Sequence, residues 1–276
     1  MAFSRRLFVL ASACSLGLLA TGCASTSNAG SAVTGGPVTV PMAAGSADAL
    51  LYRPSGTGRW PALLVWTDAE GLRPAYAEIG RKLAAAGYVV LIPNAYYRSV
   101  KLDGSVAAPA LPPAEARERS TGWRTAADEA AQIADSRALI AFLDSQPDTD
   151  TTRGAMTLGF DYGSASAFYA ARAVPARIGA VAALYPSGTA TPRPNSPHLF
   201  VNQSRAAYYV ALARNDDARE PGDKDDLNKA FADAGLEGTV EVLAADHGFA
   251  IPGSQAFDQA AADAAIARAL ELFASR

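Results

Sequence analysis

Side chains that could form a hydrolytic triad follow separate apolar runs of the chain. The segment 159–163 (Gly-Phe-Asp-Tyr-Gly) places Asp161 between two glycines. This G-x-D-x-G pattern is typical of a sharp turn from a strand into a helix, on which the central side chain serves as a nucleophile. Asp216 or Asp217 follows a second apolar run, and His247 follows a third. The order nucleophile, acid, histidine predicts a triad in which the acid orients the imidazole.

The choice of a catalytic base is narrow, because the sequence contains only two histidines. His247 follows an apolar run and an acidic loop, and this setting favours a catalytic role. His198 has no such setting, and we expect it to be structural. The spacing leaves both Asp216 and Asp217 open as the acid that orients the histidine, with Asp216 preferred.

Strands and helices alternate along the chain, which predicts an α/β fold with a mostly parallel, doubly wound sheet covered by helices on both faces. The predicted strands are unbroken apolar runs or short β-type stretches, at residues 38–40, 49–52, 60–66, 88–92, 155–160, 178–185, 206–212 and 239–243. The predicted helices cover residues 74–87, 121–145, 164–174, 225–235 and 257–273. Residues 99–120 are predicted to form an irregular loop. Because parallel strands end at one edge of a sheet, the triad candidates are expected to meet there.

The composition indicates one globular domain and argues against nucleic-acid binding. Half of the 276 residues are hydrophobic, which is enough for a sizeable core. The net charge is −3, and no basic run lies beyond the first residues, whereas phosphate-binding proteins concentrate lysine and arginine. The expected partner is therefore a small-molecule substrate, and a monomer or an oligomer remains equally open.

Residues 1–23 have the layout of an export signal. Two arginines precede an apolar run over residues 7–20 that is too short to span a bilayer, and small residues follow it. Residues 4–8 (Ser-Arg-Arg-Leu-Phe) resemble a twin-arginine signal, which is read by a receptor that passes folded cargo. We therefore expect the protein to be exported to the periplasm, with the twin-arginine route as a candidate.

The end of this signal resembles a bacterial lipobox. Residues 19–23 (Leu-Ala-Thr-Gly-Cys) predict that Cys23 carries a lipid and anchors the protein to the membrane. The alternative is ordinary cleavage near Ala24, which would give a free periplasmic protein. Residues 24–40 are predicted to be a flexible tether, because serine, glycine, alanine and threonine dominate their first part. Residues 41–276 form the predicted folded domain, which contains no cysteine for a disulfide or a thiolate metal site.

Several stretches of this domain resemble the dienelactone hydrolase family of the α/β-hydrolase superfamily. The matching stretches are residues 61–74 (PALLVWTDAEGLRP), 87–98 (GYVVLIPNAYYR), 158–164 (LGFDYGS), 212–221 and 245–249 (ADHGF). The resemblance extends over roughly residues 45–275 and implies an α/β-hydrolase fold. It also implies hydrolysis of lactones or esters by a Cys-His-Asp triad without a cofactor or a metal.

The resemblance assigns triad roles residue by residue, with one departure. The nucleophile position, which is normally Cys or Ser, is Asp161 here, while the histidine is His247 and the acid is Asp216. An acidic residue of the family that contacts the resting nucleophile is matched by Asp68. If Asp68 and Asp161 meet in this way, two carboxylates would share one pocket.

The resemblance also implies residues that bind the substrate. The backbone N–H groups of Ala69 and Tyr162 would form the oxyanion hole. Arg98 matches an arginine of the family that grips a substrate carboxylate, whereas a second carboxylate-binding arginine is replaced by Ile251. Recognition of an acidic lactone would therefore lack one of its two usual contacts.

An aspartate nucleophile changes the chemistry that this site can perform. Attack of Asp161 on an ester carbonyl would give an anhydride, whereas a carboxylate suits displacement at a saturated carbon. Haloalkane dehalogenases and epoxide hydrolases have such G-x-D-x-G turns, and His247 would then activate the water that hydrolyses the ester. Tyr96, Tyr97 and Tyr162 are candidate proton donors or packing aromatics. The alternative hypothesis is an inactive envelope lipoprotein that kept the fold and has a binding role.

Overall fold

The computed structural model describes Met1, residues 32–102 and residues 113–276. The export signal, the lipobox with Cys23 and the tether up to residue 31 lie outside the described residues, so those interpretations stay predictions. Among the helices that are described, none combines the length and apolar character needed to cross a bilayer.

A single eight-stranded sheet forms the centre of the described part, with the strand order β1-β2-β4-β3-β5-β6-β7-β8. The first two strands are antiparallel to their neighbours, and β3 to β8 are parallel to one another. The predicted mostly parallel sheet is confirmed. The strands are β1 (Val33–Met42), β2 (Gly45–Pro54), β3 (Ala62–Trp66), β4 (Val89–Pro93), β5 (Ala155–Phe160), β6 (Ile178–Leu184), β7 (Ala207–Ala213) and β8 (Gly238–Leu243).

Helices cover both faces of the sheet, because successive side chains of each buried strand point to opposite sides. Leu63 and Val65 of β3 pack in one apolar cluster with the helices α1 and α7, while Leu64 packs in a second cluster with α3, α4 and α6. The helices are α1 (Pro74–Ala85), α2 (Pro113–Ala126), α3 (Glu129–Asp144), α4 (Gly163–Ala173), α5 (Arg214–Arg219), α6 (Asp223–Ala234) and α7 (Gln259–Ala274), with a 3-10 helix at Pro197–Gln203.

The boundary between tether and domain lies earlier than the sequence predicted. Residues 33–40 were expected in the tether, but they form most of β1 and pair with β2 in unbroken register. Val40 is fully buried and belongs to the core, since alternate side chains of this strand face the sheet. The folded domain therefore includes residue 33 and does not begin at residue 41.

The segment before β5 also differs from its prediction. Residues 113–120 are helical rather than irregular, and the single helix expected over residues 121–145 is two helices, α2 and α3. The break is explained by Asp128, whose carboxylate accepts a hydrogen bond from the backbone N–H of Ala131 (2.8 Å) and caps α3. Residues 103–112, also expected to be a loop, lie outside the described residues.

Candidate active site

Asp161 occupies a strained turn between β5 and α4. Its φ of +49° lies in the left-handed region, which non-glycine residues rarely adopt. A Cβ on Gly159 would lie 2.3 Å from the carbonyl oxygen of Gly163, and a Cβ on Gly163 would lie 2.4 Å from that of Thr67. Both neighbours of the turn must therefore be glycine, and the G-x-D-x-G spacing follows from close backbone packing.

The three predicted triad residues meet at the carboxyl ends of β5, β7 and β8. The Nδ1 of His247 lies 2.7 Å from Oδ2 of Asp216, and its Nε2 lies 3.4 Å from Oδ1 of Asp161. The second carboxylate oxygen of Asp216 accepts a hydrogen bond from Arg219 (2.7 Å). The imidazole therefore lies between two buried carboxylates, one on the turn and one that orients the ring.

The competing candidates for these roles lie elsewhere. Asp217 pairs with Lys224, with 3.0 Å between Nζ and Oδ1. The Nδ1 of His198 lies 2.9 Å from the hydroxyl of Ser196, in a purely local contact. Sequence reasoning missed Asn215, whose side-chain oxygen accepts a hydrogen bond from the backbone N–H of His247 (2.9 Å). Asn215 thus fixes the loop that carries the histidine, and only its position beside Asp216 could have indicated this.

The two carboxylates favour the protonated form of His247. Burial by itself would lower the pKa of His247, but hydrogen bonds to Asp161 and Asp216 outweigh burial and raise the pKa to about 9. The resting site at neutral pH therefore holds an imidazolium ion between two carboxylates. A base appears at Nε2 only when one of those negative charges is removed or the pH rises.

The carboxylate of Asp161 contacts one of the two N–H groups expected in the oxyanion hole. The backbone N–H of Ala69 donates a hydrogen bond of 3.2 Å to Oδ2 of Asp161. Tyr162 directly precedes α4, and its side chain is 41% exposed. One oxygen of the carboxylate is thus held by the backbone, while the other faces His247.

Asp68 does not interact with the nucleophile position as the resemblance implied. Its carboxylate forms two hydrogen bonds with the guanidinium of Arg73, of 2.5 and 2.6 Å. The two acids therefore have separate cations, Arg73 for Asp68 and His247 for Asp161. This pairing relieves the repulsion expected between two carboxylates in one pocket. Arg73 was not among the residues that the sequence predicted for the site.

Arg98 is not brought to the site. Its guanidinium forms hydrogen bonds of 2.5 and 2.9 Å with the buried carboxylate of Asp135 on α3, and the hydroxyl of Tyr97 donates to the same carboxylate. The prediction that Arg98 grips a substrate is corrected on this ground, because both of its terminal nitrogens are already paired. Ile251, which replaces the second arginine of the family, is buried in the core.

A cleft of about 900 Å³ lies beside the Asp161 turn, on the side of α2 and α3. Tyr96, Tyr162, Gly163 and Arg124 of α2 are among the residues that line it. The Arg124 guanidinium lies 4.2 Å from the ring centroid of Tyr162. Of the three candidate tyrosines, Tyr96 is therefore the buried one that faces the cleft. Arg124 was missed because its segment was not expected to reach the site.

Tyr185 is a further residue that the sequence analysis overlooked. It follows β6 with a φ of +36°, and its ring meets the ring of His247 edge-on at 5.0 Å. Within the described residues its buried hydroxyl has no hydrogen-bond partner. Burial raises the pKa of Tyr185 well above its ordinary value, and the charges of Asp68 and Asp161 add to this effect. Tyr185 therefore stays a neutral aromatic wall behind the imidazole.

The described residues contain no cluster of three or more side chains suited to holding a metal ion. The eight-stranded sheet and the arrangement of turn carboxylate, histidine and acid define an α/β hydrolase. The family model of the dienelactone hydrolase family matches residues 47–276, and the chain belongs to that family. This membership supports a hydrolase function.

Solved structures share the fold at low sequence identity. A candidate dienelactone hydrolase from Klebsiella pneumoniae subsp. pneumoniae MGH 78578 has a TM-score of 0.77 at 19% identity, over 89% of this chain and 100% of that chain. A dienelactone hydrolase-like promiscuous phosphotriesterase from metagenomic libraries has a TM-score of 0.72 at 20% identity, over 88% and 98%. A thermostable carboxylesterase from a metagenomic library has a TM-score of 0.60 at 16% identity, over 88% and 89%. A comparison with curated proteins gave no significant match.

Proposed function

We propose that this protein hydrolyses a small ester, lactone, epoxide or alkyl halide by using the carboxylate of Asp161 as a nucleophile. One observation carries the proposal: Oδ2 of Asp161 accepts a hydrogen bond from Ala69, while Oδ1 faces Nε2 of His247 at 3.4 Å. The carboxylate is thereby oriented on a strained turn next to a cleft. A carboxylate in this setting suits displacement at a saturated carbon, because attack on a carbonyl would give a high-energy anhydride.

The first step forms an ester between Asp161 and the substrate. An oxygen of Asp161 attacks the saturated carbon, and the bond from that carbon to a halide, an epoxide oxygen or a carboxylate oxygen breaks. The leaving group takes the electron pair of the broken bond. Tyr96 lines the cleft beside the turn, and its hydroxyl stays protonated because burial raises its pKa. In this step the hydroxyl exchanges its long hydrogen bond to the carbonyl of Asp68 (3.4 Å) for one to the leaving oxygen.

The second step hydrolyses that ester. Once Asp161 is esterified its negative charge is gone and the pKa of His247 falls. The imidazolium then gives its Nε2 proton to the oxygen of an opened epoxide or, with other leaving groups, to solvent, and the neutral imidazole can act as a base. His247 takes a proton from water, the water oxygen attacks the carbonyl carbon of the ester, and the developing oxyanion accepts the N–H of Ala69. Asp216 stabilises the imidazolium while the intermediate collapses and releases the alcohol product, which takes the proton from His247. Asp161 is left as a carboxylic acid, and transfer of its proton to His247 restores the resting ion pair.

The proposal is tested by covalent labelling of the mature protein, which keeps all of β1. Panels of esters, epoxides and haloalkanes are incubated with the wild-type protein and with Asp161→Asn, and intact mass and peptide mapping follow. We expect turnover of at least one class, an adduct on Asp161 in the wild type, and neither in the variant. Absence of both turnover and adduct across all panels would refute the enzyme. Ester turnover that survives in Asp161→Asn would refute only the nucleophile.

A second candidate function is a non-catalytic binding role on the same fold. The observation that favours it is the closed resting site, in which His247 is ion-paired on both sides and the N–H of Ala69 is already occupied. A protein of this kind would bind small molecules in the cleft beside Tyr162 without turnover. The same panels distinguish the two functions, because binding measured by calorimetry without product would favour the second one.

The proposed location is the periplasm, with a lipid on Cys23 as the membrane anchor and the twin-arginine route as the candidate path. The support is the pattern of residues 1–23 alone. Cys23→Ser should move the protein from the membrane fraction to the soluble periplasmic fraction, and labelled palmitate should no longer be incorporated. A wild-type protein that is soluble from the start would exclude the anchor and leave the export proposal intact.

A further inference from the structure

The largely buried ion pair between Asp68 and Arg73 forms within the loop that presents Ala69 to the nucleophile. Asp68 is 8% exposed, and its carboxylate accepts hydrogen bonds of 2.5 and 2.6 Å from the two terminal nitrogens of Arg73. The same carboxylate accepts the backbone N–H of Glu70 (3.1 Å). The guanidinium of Arg73 also donates to the carbonyl oxygen of Gly71 (3.2 Å). Arg73 therefore ties the side chain of Asp68 to the loop on both sides of Ala69.

The backbone of Asp68 is fixed as well. Its N–H donates to the hydroxyl of the fully buried Tyr76 (2.7 Å), and its carbonyl accepts the N–H of Gly71 (3.1 Å) and the hydroxyl of Tyr96 (3.4 Å). Arg73 immediately precedes α1, which begins with a proline and packs on the sheet. The pair thus connects a rigid helix start to the one backbone N–H that holds the Asp161 carboxylate.

We infer that Arg73 is a positioning residue for this reaction: acting through Asp68, it holds the N–H of Ala69 where the oxyanion of the second step develops. This inference rests on the proposed function. Nothing in it requires Arg73 to touch the substrate, since both of its terminal nitrogens are engaged within the loop. Its role follows from the hydrogen bonds that link it, through residues 68–71, to Oδ2 of Asp161.

The two steps of the reaction depend on Ala69 in opposite ways. In the first step Asp161 loses negative charge as it attacks, so the hydrogen bond from Ala69 gives no help to the transition state. In the second step the ester carbonyl of Asp161 gains negative charge, so the same hydrogen bond strengthens. Removing one oxyanion donor costs about 10²–10³ in rate in well-studied enzymes. A misplaced Ala69 should therefore slow hydrolysis of the ester selectively.

The test measures both steps separately in rapid-quench experiments with intact-mass detection. The probes are styrene oxide and 1-bromohexane, whichever labels Asp161 in the wild type or in the trapping variant His247→Gln. In Arg73→Gln we expect adduct formation within about threefold of wild type and ester hydrolysis slower by about 10-fold to 100-fold, so that labelled Asp161 accumulates. Arg73→Lys should restore part of the hydrolysis rate, since it retains one hydrogen bond and the charge.

A double variant and a control address loss of folding. Asp68→Asn/Arg73→Gln leaves no unpaired buried charge, so it replaces Arg73→Gln if that variant does not fold. We expect the double variant to accumulate labelled Asp161 as well. Lys82→Gln is the matched control, because Lys82 lies on α1, the helix that Arg73 precedes, and pairs with Asp263 at the surface. It should leave both steps unchanged. Equal slowing of both steps in the Arg73 variants, or no change in either, would overturn the inference.

A measurement that needs no turnover keeps this inference separate from the proposed function. Amide hydrogen exchange of Ala69 should be about 10-fold faster in Arg73→Gln than in wild type, while amides of β3 keep their protection. Unchanged exchange at Ala69 would overturn the positioning role even if Asp161 is labelled. Faster exchange without any adduct in wild type or in His247→Gln would leave the positioning role intact and refute the nucleophilic reaction.

Discussion

The strand ends that carry the triad and the cleft wall built from α2, α3 and the loop after β4 are organised differently. At the strand ends, Asp161, Asp216 and His247 each lie where a parallel strand stops, and they meet within hydrogen-bonding distance or close to it. Near the cleft, Arg98 pairs with Asp135 of α3 and does not line the cleft, whereas Arg124 of α2 does. Backbone topology fixes the positions of residues in the first region. In the second region, the ion pairs that long arginine side chains form decide where their charges lie.

This difference shows which functional residues a fold can fix by itself. Glycines 159 and 163 are enforced by backbone atoms less than 2.5 Å from any added Cβ, so the position of Asp161 cannot drift. A guanidinium at the end of a flexible side chain has no such constraint and follows the nearest buried carboxylate. Backbone packing therefore fixes the position of Asp161, whereas the positions of the arginines near the cleft depend on how their side chains pair.

The largest expected effect comes from His247→Gln, which removes the base but keeps the nucleophile. We expect turnover to fall by about 10³–10⁴, in the upper range for general-base catalysis, and Asp161 to remain esterified. Rapid-quench intact mass would detect the trapped adduct. His198→Gln is the matched control, since His198 bonds only locally, and it should keep turnover within twofold. Normal turnover in His247→Gln would show that the residues at the strand ends do not catalyse the reaction.

The next effect is a shift in the pKa of His247 itself. Hydrogen bonds to Asp161 and Asp216 outweigh burial and raise this pKa to about 9 in the resting protein. Asp161→Asn should lower the pKa of His247, because one of the two negative charges is lost. Proton NMR of the imidazole measures this directly, since the chain has only two histidines and His247→Gln assigns the signal. A wild-type value near 6.5 would contradict the ion-paired resting site.

The same shift predicts a direction for stability. The folded pKa of His247 lies above the ordinary value of 6.5, so its contribution to the free energy of unfolding is complete below about pH 6.5. That contribution is lost as the pH rises through about 9. The Tm difference between wild type and His247→Gln should therefore shrink between pH 6 and pH 9.5. A constant difference would show that His247 is not titrating in this window.

Some residues of the candidate site could be predicted from the sequence, and others could not. The strand patterns predicted the positions of Asp161, Asp216 and His247, because an unbroken apolar run and the polar residues that follow it are both local signals. Arg73 and Asn215 could not be found in this way, since each acts through hydrogen bonds that only the tertiary arrangement creates. The start of β1 was missed because a glycine-rich strand at a sheet edge has the same composition as a linker.

A smaller effect is expected from Arg124→Gln at the cleft wall. Arg124 lies over the ring of Tyr162 and is held by the hydroxyl of Ser120 (2.8 Å). Its loss should raise KM about 3-fold to 10-fold with kcat nearly unchanged, as expected for a contact made equally before and during the reaction. Steady-state kinetics with the best substrate of the panels measures the split. A drop in kcat with constant KM would assign Arg124 to the catalytic region instead.

The smallest effect on turnover is expected from Arg98→Gln. Because Arg98 is paired with Asp135 and does not line the cleft, kcat and KM should stay within about twofold of wild type. Stability should suffer instead, by about 3–5 kcal/mol, because the carboxylate of Asp135 is buried and would lose its charged partner. Urea unfolding measures this loss, and Asp135→Asn/Arg98→Gln should recover part of it. A large rise in KM without a loss of stability would show that Arg98 leaves Asp135 to bind the substrate, and the two regions would then share that arginine.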